Sequence, residues 1–392
     1  MKQSFYLAIK YLMFYKFRTM VLTLSIGLIL FLPLGLERLI SESQSQMLAR
    51  SDATPLLIGA KGSSTDLVIN ILYFEKNKIE FIHLGLLDTL NNMDLGYAIP
   101  ILSAFKARGF PIVGTDLDYF SFRNLSIASG RNLQLVGECV IGSEVAEQLD
   151  LSVGEHLVSS PENFIDLAGV YPLKMHIVGV LNPSNSPDDY AVFTDLKTNW
   201  IIMGLGHGHQ DLQALNDPSL ILKKDSAQIT ASAKVFMYNE INTKNMDDFH
   251  FHGRMSDYPI SSVLFVPKDV KSGIILRGRF ESKELKEQIV VPTVVVENLL
   301  QTIFRIKKIF DMVFVLIGIA TFIIVFLIVI LTLKLRKDEL FTMFTIGSSK
   351  YKTVEIVGFE LIITLFLSSS IALVFYGLTG FYIETFIRNF II

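Results

Sequence analysis

The chain has 392 residues, 51% of them hydrophobic, with a mean hydropathy of +0.45 and a formal net charge of -3. That composition is more apolar than a soluble domain usually carries, and the charge excludes general affinity for nucleic acid. Cys139 is the only cysteine, so an intrachain disulfide and a cysteine-based zinc site are excluded too. Residues 1–18 are a leader with Lys2, Lys10, Lys16 and Arg18, and no acid precedes Glu37. Leu7, Ile9, Leu12, Met13 and Phe17 interleave with these cations. As a helix the leader has an apolar side and a basic side, which fits either a helix on the inner membrane surface or an ordinary cytoplasmic flank.

Residues 19–36 are apolar and nearly long enough to cross the hydrocarbon layer. No small-x-small cleavage site follows them, which argues against a signal peptide. Residues 37–50 continue without Pro or Gly and predict a stalk helix. Strands are predicted at 56–59, 112–114, 138–142, 174–180, 191–193 and 263–266, from short runs rich in Val and Ile. Ser143 to Leu149 reads as a short helix capped by Ser143, with Glu144 in its first turn. Pro183 to Pro187 reads as a turn-rich break, and Gly204 to Asp211 as a loop rich in glycine and histidine. From Val294 to Lys308 apolar residues recur at helical spacing after Pro292, leading into a second span at 312–333. Residues 334–360 hold Lys334, Arg336, Lys337, Lys350 and Lys352, and a third span follows at 361–383 with a tail at 384–392.

Lysine and arginine concentrate in the leader and in the 334–360 link, so both belong on the cytoplasmic side. Arg305, Lys307 and Lys308 stand on the outer side, but long outer domains translocate largely regardless of such charge. The expected fold class is therefore a three-span α-helical membrane protein. A large α+β extracytoplasmic domain, 37–311 with its stalks, is inserted between spans one and two.

No G-x-x-x-x-G-K-[ST] stretch is present, so ATP has to be bound by a partner subunit if it is used. Glu360, at the inner end of span three, reads as an ion relay or as a carboxylate reaching the interface, within reach of Lys352 or a basic residue of span two. Asp116-Leu117-Asp118 and Asp188-Asp189 sit among turn residues with no nucleophile beside them and read as solvated turns. His207 and His209 form one H-x-H pair, and His250 and His252 a second. On strands such pairs put both imidazoles on one face, a spacing zinc sites use. They are either a zinc site or two polar loops that carry histidine.

Several segments in order resemble the MacB/FtsX-like permease family of ABC transporters. They are Leu7 to Leu12 with Arg18-Thr19, Gly130-Arg131, Val140 to Ala146, Val153-Gly154, Ile177 to Leu181, Leu335 to Leu340, and Ile346 to Lys350 ahead of Glu360. The resemblance implies a permease dimer in a bacterial inner membrane, bound to separate ABC ATPase subunits. It also implies a two-part periplasmic domain with an inserted β-rich module, and a relay of ATPase motion to that domain. By this resemblance 334–360 is the coupling segment. Leu340, Phe341, Phe344 and Ile346 would fill an ATPase groove, Arg336, Lys337, Asp338 and Glu339 would set register, and Gly347 belongs to the same coupling set. The family usually has four spans, so the resemblance implies a three-span variant or a truncated product. Two other roles stay open: a permease subunit linked to zinc transport, and an adaptor that activates a periplasmic or extracellular hydrolase.

Overall fold

The computed structural model describes residues 2–75, 79–160, 172–208, 221–225, 228–231, 240–242, 245–281 and 285–390. The elements begin with α1 (Lys2–Phe14), α2 (Lys16–Asp52), β1 (Leu56–Ala60), α3 (Ser64–Tyr73), β2 (Ile82–His83), α4 (Leu86–Asn91), β3 (Gly96–Ala107) and β4 (Phe110–Gly114). Next come α5 (Leu117–Phe122), β5 (Ile127–Gly130), β6 (Glu138–Ile141), α6 (Ser143–Leu149), β7 (His156–Val158), β8 (Lys174–Leu181), β9 (Val192–Thr194), α7 (Leu196–Ile202) and β10 (Gly206–Gly208). The series closes with β11 (Ile221–Asp225), β12 (Gln228–Ala231), β13 (Phe249–Phe251), β14 (Pro259–Ile260), β15 (Ser262–Pro267), α8 (Val270–Phe280), β16 (Glu287–Val290), α9 (Pro292–Leu335), α10 (Lys337–Thr345) and α11 (Lys350–Phe390). They divide into two compact units: Met1–Met47 with Asn298–Ile392, and Leu48–Glu297.

In the first unit α2, α9 and α11 are each long and apolar enough to cross a membrane. Charged residues bracket the apolar lengths. At 1.5 Å per residue about 29 Å separates Arg18 from Glu37 on α2, close to the hydrocarbon thickness. On α9 about 40 Å separates Lys307 from Lys334, nearer the thickness that includes headgroups. At one end Lys307 pairs with Glu37, and at the other Arg336 pairs with Glu360. Pro33 lies inside α2, where it removes one backbone hydrogen bond. The leader helix α1 packs on α11: Ser4 Oγ donates to Glu355 Oε2 at 3.1 Å, Phe5 meets Phe359 edge-on at 5.5 Å, and Ser4 and Ala8 are buried. Its other aromatic and apolar side chains, Tyr6, Met13 and Phe14, remain exposed.

In the second unit a ten-stranded sheet runs β16-β1-β15-β3-β4-β9-β6-β8-β5, with β7 joined to β8. The pairs β4–β9 and β6–β8 are parallel, so the domain is α/β with a mixed sheet, where strand patterning alone suggested α+β. Two apolar clusters fill it. One gathers Ile112, Cys139, Ile141, Met175, Ile177 and Val192. The other gathers Ile58, Val263, Phe265, Trp200, Leu276 and Phe280 from β1, β15, α7 and α8. Further two-stranded sheets, β10–β13 and β11–β12, stand apart from the large one.

Three local expectations are corrected. Gly206–Gly208 is a strand, not a loop, because it finds β13 as a partner. The N-cap of α6 is Gly142, with no side-chain cap, and Ser143 Oγ is buried without a hydrogen-bond partner. A Cβ at Gly142 would lie 2.2 Å from the Asp189 carbonyl oxygen, so the close approach of the two backbones excludes a larger residue there. Third, Asp188 and Asp189 are not solvated: they are 1% and 0% exposed.

Asp116 does sit in a turn, as the N-cap of α5, accepting from the backbone N–H groups of Asp118 and Tyr119. Burial, helped by the neighbouring Asp118 charge, pushes its carboxyl up to about 6. A carboxyl raised on folding binds protons more readily in the native state, so stability rises as pH falls through 6 toward the unfolded value. Asp116→Asn keeps the cap and removes the titration. Thermal melts of the wild type will therefore show a gain in stability from pH 7 to pH 5 that the variant lacks.

Candidate functional site

The last turn of α2 delivers Arg50 into the interior of the second unit. Its side chain is 7% exposed, and no charge survives there without a partner. Asp188 supplies one. Arg50 Nη1 donates to Asp188 Oδ2 at 2.8 Å and Nη2 to Oδ1 at 3.0 Å, a two-pronged fork on one carboxylate. Arg50 Nε donates to the Leu72 carbonyl at the end of α3, and its guanidinium lies 5.6 Å from the Phe74 ring. Tyr119 Oη donates to Asp188 Oδ1 at 2.7 Å. Arg123 donates to Thr54 Oγ1 at 2.8 Å, and Thr54 Oγ1 donates to the Arg50 carbonyl at 2.9 Å. Asp188 is held by a 3-10 turn, Pro187–Tyr190, with Ser186 and Asp189 forming a capping box.

Burial opposes the Asp188 charge, but the Arg50 fork outweighs it and holds the carboxyl below its ordinary value. Burial pushes Tyr119 up to about 12, so it stays a neutral donor. This cluster, which no sequence motif marks, ties α2, α3, α5 and the 187–190 turn together. The one usable signal was Ser186-x-x-Asp189, a capping-box spacing that orders a turn. The stalk arginine gave none, because an arginine near a helix end is ordinarily solvated.

In the first unit the residues expected to couple to an ATPase divide. Arg336, the N-cap of α10, turns inward: Nη1 donates to Glu360 Oε1 at 2.9 Å and the guanidinium stacks 3.6 Å from the centre of the Tyr11 ring. Glu360 thus takes a basic residue just past span two, while Lys352 pairs with Glu355 at 2.9 Å. Lys337 is exposed. Phe341, Phe344 and Ile346 are 66%, 53% and 82% exposed, and Tyr351 opens α11 equally bare. Gly347, at φ 101°, follows the C-cap Ile346 and closes α10 as a left-handed glycine does. The side chain of Glu339 lies outside the described part.

Among α2, α9 and α11, Arg18, Thr19, Glu360 and Thr364 face aliphatic side chains around a cavity of about 50 Å³. That holds one or two waters, against several hundred Å³ for a drug-sized ligand.

Of the four candidate histidines, the backbone sets His207 opposite His250 in the β10–β13 ladder. The rings of His250 and His252 meet edge-on at 4.9 Å. The side chain of His207, and all of His209, lie outside the described residues. A third histidine pair was missed: His156 and His176 face each other across β7 and β8, with His176 Nδ1 3.4 Å from His156 Nε2. His156 Nε2 is 3.3 Å from Glu240 Oε1, whose other oxygen accepts from Lys174 Nζ at 2.9 Å. Among the described side chains no three His, Cys, Asp or Glu are arranged to hold a metal ion.

Residues 63–234 match the family model of the MacB-like periplasmic core domain. Among solved structures, the periplasmic region of MacB from Actinobacillus actinomycetemcomitans is similar at 11% identity and a TM-score of 0.35, covering 64% of this chain and 97% of that one. The extracellular domain of the noncanonic ABC-type transporter YknZ from Gram-positive bacteria is similar at 12% identity and a TM-score of 0.32, covering 60% and 98%. No curated protein sequence matches the chain.

Removing one member of a buried ion pair strands the other, at a cost of about 3–5 kcal/mol. Asp188→Asn and Arg50→Met will each lower the denaturation free energy of the outer domain by that order, read from tryptophan fluorescence of Trp200. Because the Asp188 carboxyl is held low, the wild-type contribution persists above the unfolded carboxyl value and disappears as pH falls through the folded one. The Arg50→Met/Asp188→Leu double variant will recover much of the loss.

Proposed function

We propose that this chain, which carries a MacB-like periplasmic core domain, is the membrane subunit of an ABC-type transport system and relays motion from an ATPase to its outer domain. One observation carries the ATPase half of this reading: Phe341, Phe344 and Ile346 stand exposed on α10, between two membrane-length helices. Phe341 and Phe344 are three residues apart, so they share a helix face. Exposed aromatic side chains on one short helix are what a groove on a partner accepts. The same segment is basic, which supports a cytoplasmic partner. Arg336 holds α10 against Glu360 and Tyr11, so the docking helix is braced from within rather than hung on a free loop. Two such chains would pair in the bilayer with two ATPase subunits, and ATP would sit on those subunits.

The cavity among the three helices is small and mostly aliphatic, which favours a relay over a solute path through this chain. In the relay the residue that engages the outer domain is Arg50. A shift of α2 carries the 187–190 turn with it through the Asp188 fork. The periplasmic partner or cargo is then moved by the outer domain.

Phe341→Ala/Phe344→Ala in the full-length protein, expressed with its ATPase subunit, will lose at least about nine-tenths of the ATPase retained on affinity purification, an interface loss of about 1.4 kcal/mol or more. Unchanged retention removes the docking assignment. Recovery of a wall hydrolase rather than a transported lipid or solute would turn the relay reading toward the adaptor role. Arg336→Glu will also weaken retention, and Glu360→Arg added to it will restore part of the loss, the sign of a direct pair.

A further inference from the structure

The leader helix α1 turns one face to α11 and another outward. Ser4 and Ala8 are buried, with Ser4 Oγ donating to Glu355 Oε2 at 3.1 Å on α11. Tyr6 is two residues from each of them, about 200° round the helix. Lys2, Tyr6, Lys10 and Met13 follow one another at spacings of four, four and three, so they form one outward stripe. Phe14 ends the helix, and Lys16 and Phe17 follow it. Tyr6, Met13, Phe14 and Phe17 are each at least 59% exposed. Lys10 Nζ lies 5.6 Å from the centre of the Tyr6 ring. Among the described residues no carboxylate pairs with Lys2, Lys10 or Lys16, and no acid precedes Glu37 in the chain.

The start of α2 places this stripe. The break between α1 and α2 falls at Tyr15. Thr19 Oγ1 donates to the Leu12 carbonyl at 3.0 Å, with the Tyr15 carbonyl at 3.2 Å, and so takes up carbonyls that the break leaves open. The apolar length of α2 begins at that threonine, which puts Lys16 and Arg18 at headgroup depth. Lysine and large apolar side chains mixed on one face suit neither bulk water nor hydrocarbon. Water leaves the apolar groups uncovered, and hydrocarbon strands the ammonium groups. The headgroup region accepts both, because the rings settle at the interface while each lysine tip reaches a phosphate.

We propose that the outward face of α1 binds anionic phospholipid of the inner leaflet, with Lys2, Lys10 and Lys16 on the headgroup phosphates and Tyr6, Met13, Phe14 and Phe17 seated beneath them. A lipid of net negative charge neutralises lysines that a zwitterionic lipid, which brings its own ammonium, leaves charged. The bound lipid ties the N-terminal end of the first unit to one leaflet. The proposal rests on α2, α9 and α11 spanning a bilayer and not on the ATPase relay, so its failure leaves the relay untouched.

The test uses the full-length protein in phosphatidylcholine nanodiscs. Met13→Cys carries an NBD fluorophore, while Cys139 stays unlabelled because it is buried and burial pushes its thiol up. Spin-labelled phosphatidylglycerol and, separately, spin-labelled phosphatidylcholine are added in increasing fraction as quenchers. Phosphatidylglycerol will quench at the lower fraction. Lys2→Gln, Lys10→Gln and Lys16→Gln will each reduce that preference about fivefold, while Lys271→Gln will leave it unchanged. Each single variant keeps the other cations, so insertion is preserved. Equal quenching by the two lipids overturns the proposal, as does quenching by neither, which would put the stripe in water. Quenching that disappears when the ATPase subunit binds assigns the face to that subunit and overturns it too.

Discussion

A guanidinium buried at the end of a membrane-length helix constrains everything around it. Arg50 cannot lose its charge at any accessible pH, and leaving it unpaired in the interior would cost several kcal/mol. Its neighbours are arranged to prevent that: a two-pronged carboxylate, a helix-end carbonyl and an aromatic face. The carboxylate comes from the 187–190 turn, and the carbonyl and the ring from the end of α3, so the guanidinium is met only when α2, α3 and the turn are all in place. Hydrophobic packing tolerates small shifts, whereas a forked ion pair has one register. The pair therefore adds little net stability over an apolar substitute and adds position instead, a role consistent with a point of force transfer.

The first unit holds a second arginine–carboxylate pair: Arg336 meets Glu360, and Tyr11 covers the guanidinium. There the pair fixes the start of α10, and the exposed aromatics follow within two turns. Charges that close helices at the interface cost little while their tips reach water, and they resist sliding along the helix axis. Pro33 lies inside α2, which runs unbroken from Lys16 to Asp52.

The legible parts of the sequence were those set by local chemistry. Spans, stalks and the valine- and isoleucine-rich strands follow from periodicity, and β1, β4, β6, β8, β9 and β15 lie where those runs predicted. The short helix with Phe341 and Phe344 also showed in its pattern. What stayed hidden depended on partners distant in sequence. Asp188 looks like any aspartate in a proline- and serine-rich turn, until an arginine 138 residues earlier arrives beside it. The glycine-rich stretch at 206–208 looked like a loop because glycine is a poor strand former, and only the Phe249 and Phe251 rings explain why glycine is needed. The parallel pairings in the sheet are equally non-local, since nothing in a single strand tells which neighbour it will take.

These hidden contacts share a logic. Where the chain has to hold a shape against load, it pairs charge or stacks a ring on a glycine, and both need a second segment to be read. Where it only has to be apolar, a single stretch is enough. A relay needs stiffness at its ends and tolerance between them. In the proposed relay the apolar spans, which pattern alone predicts, would supply the tolerance, since tilting or sliding against lipid costs fractions of a kcal/mol per Å. The Arg50 and Arg336 pairs, which pattern alone does not predict, would supply the stiffness. A chain meant only to fill the bilayer would need neither anchor, because burying two arginines is a cost that apolar packing avoids.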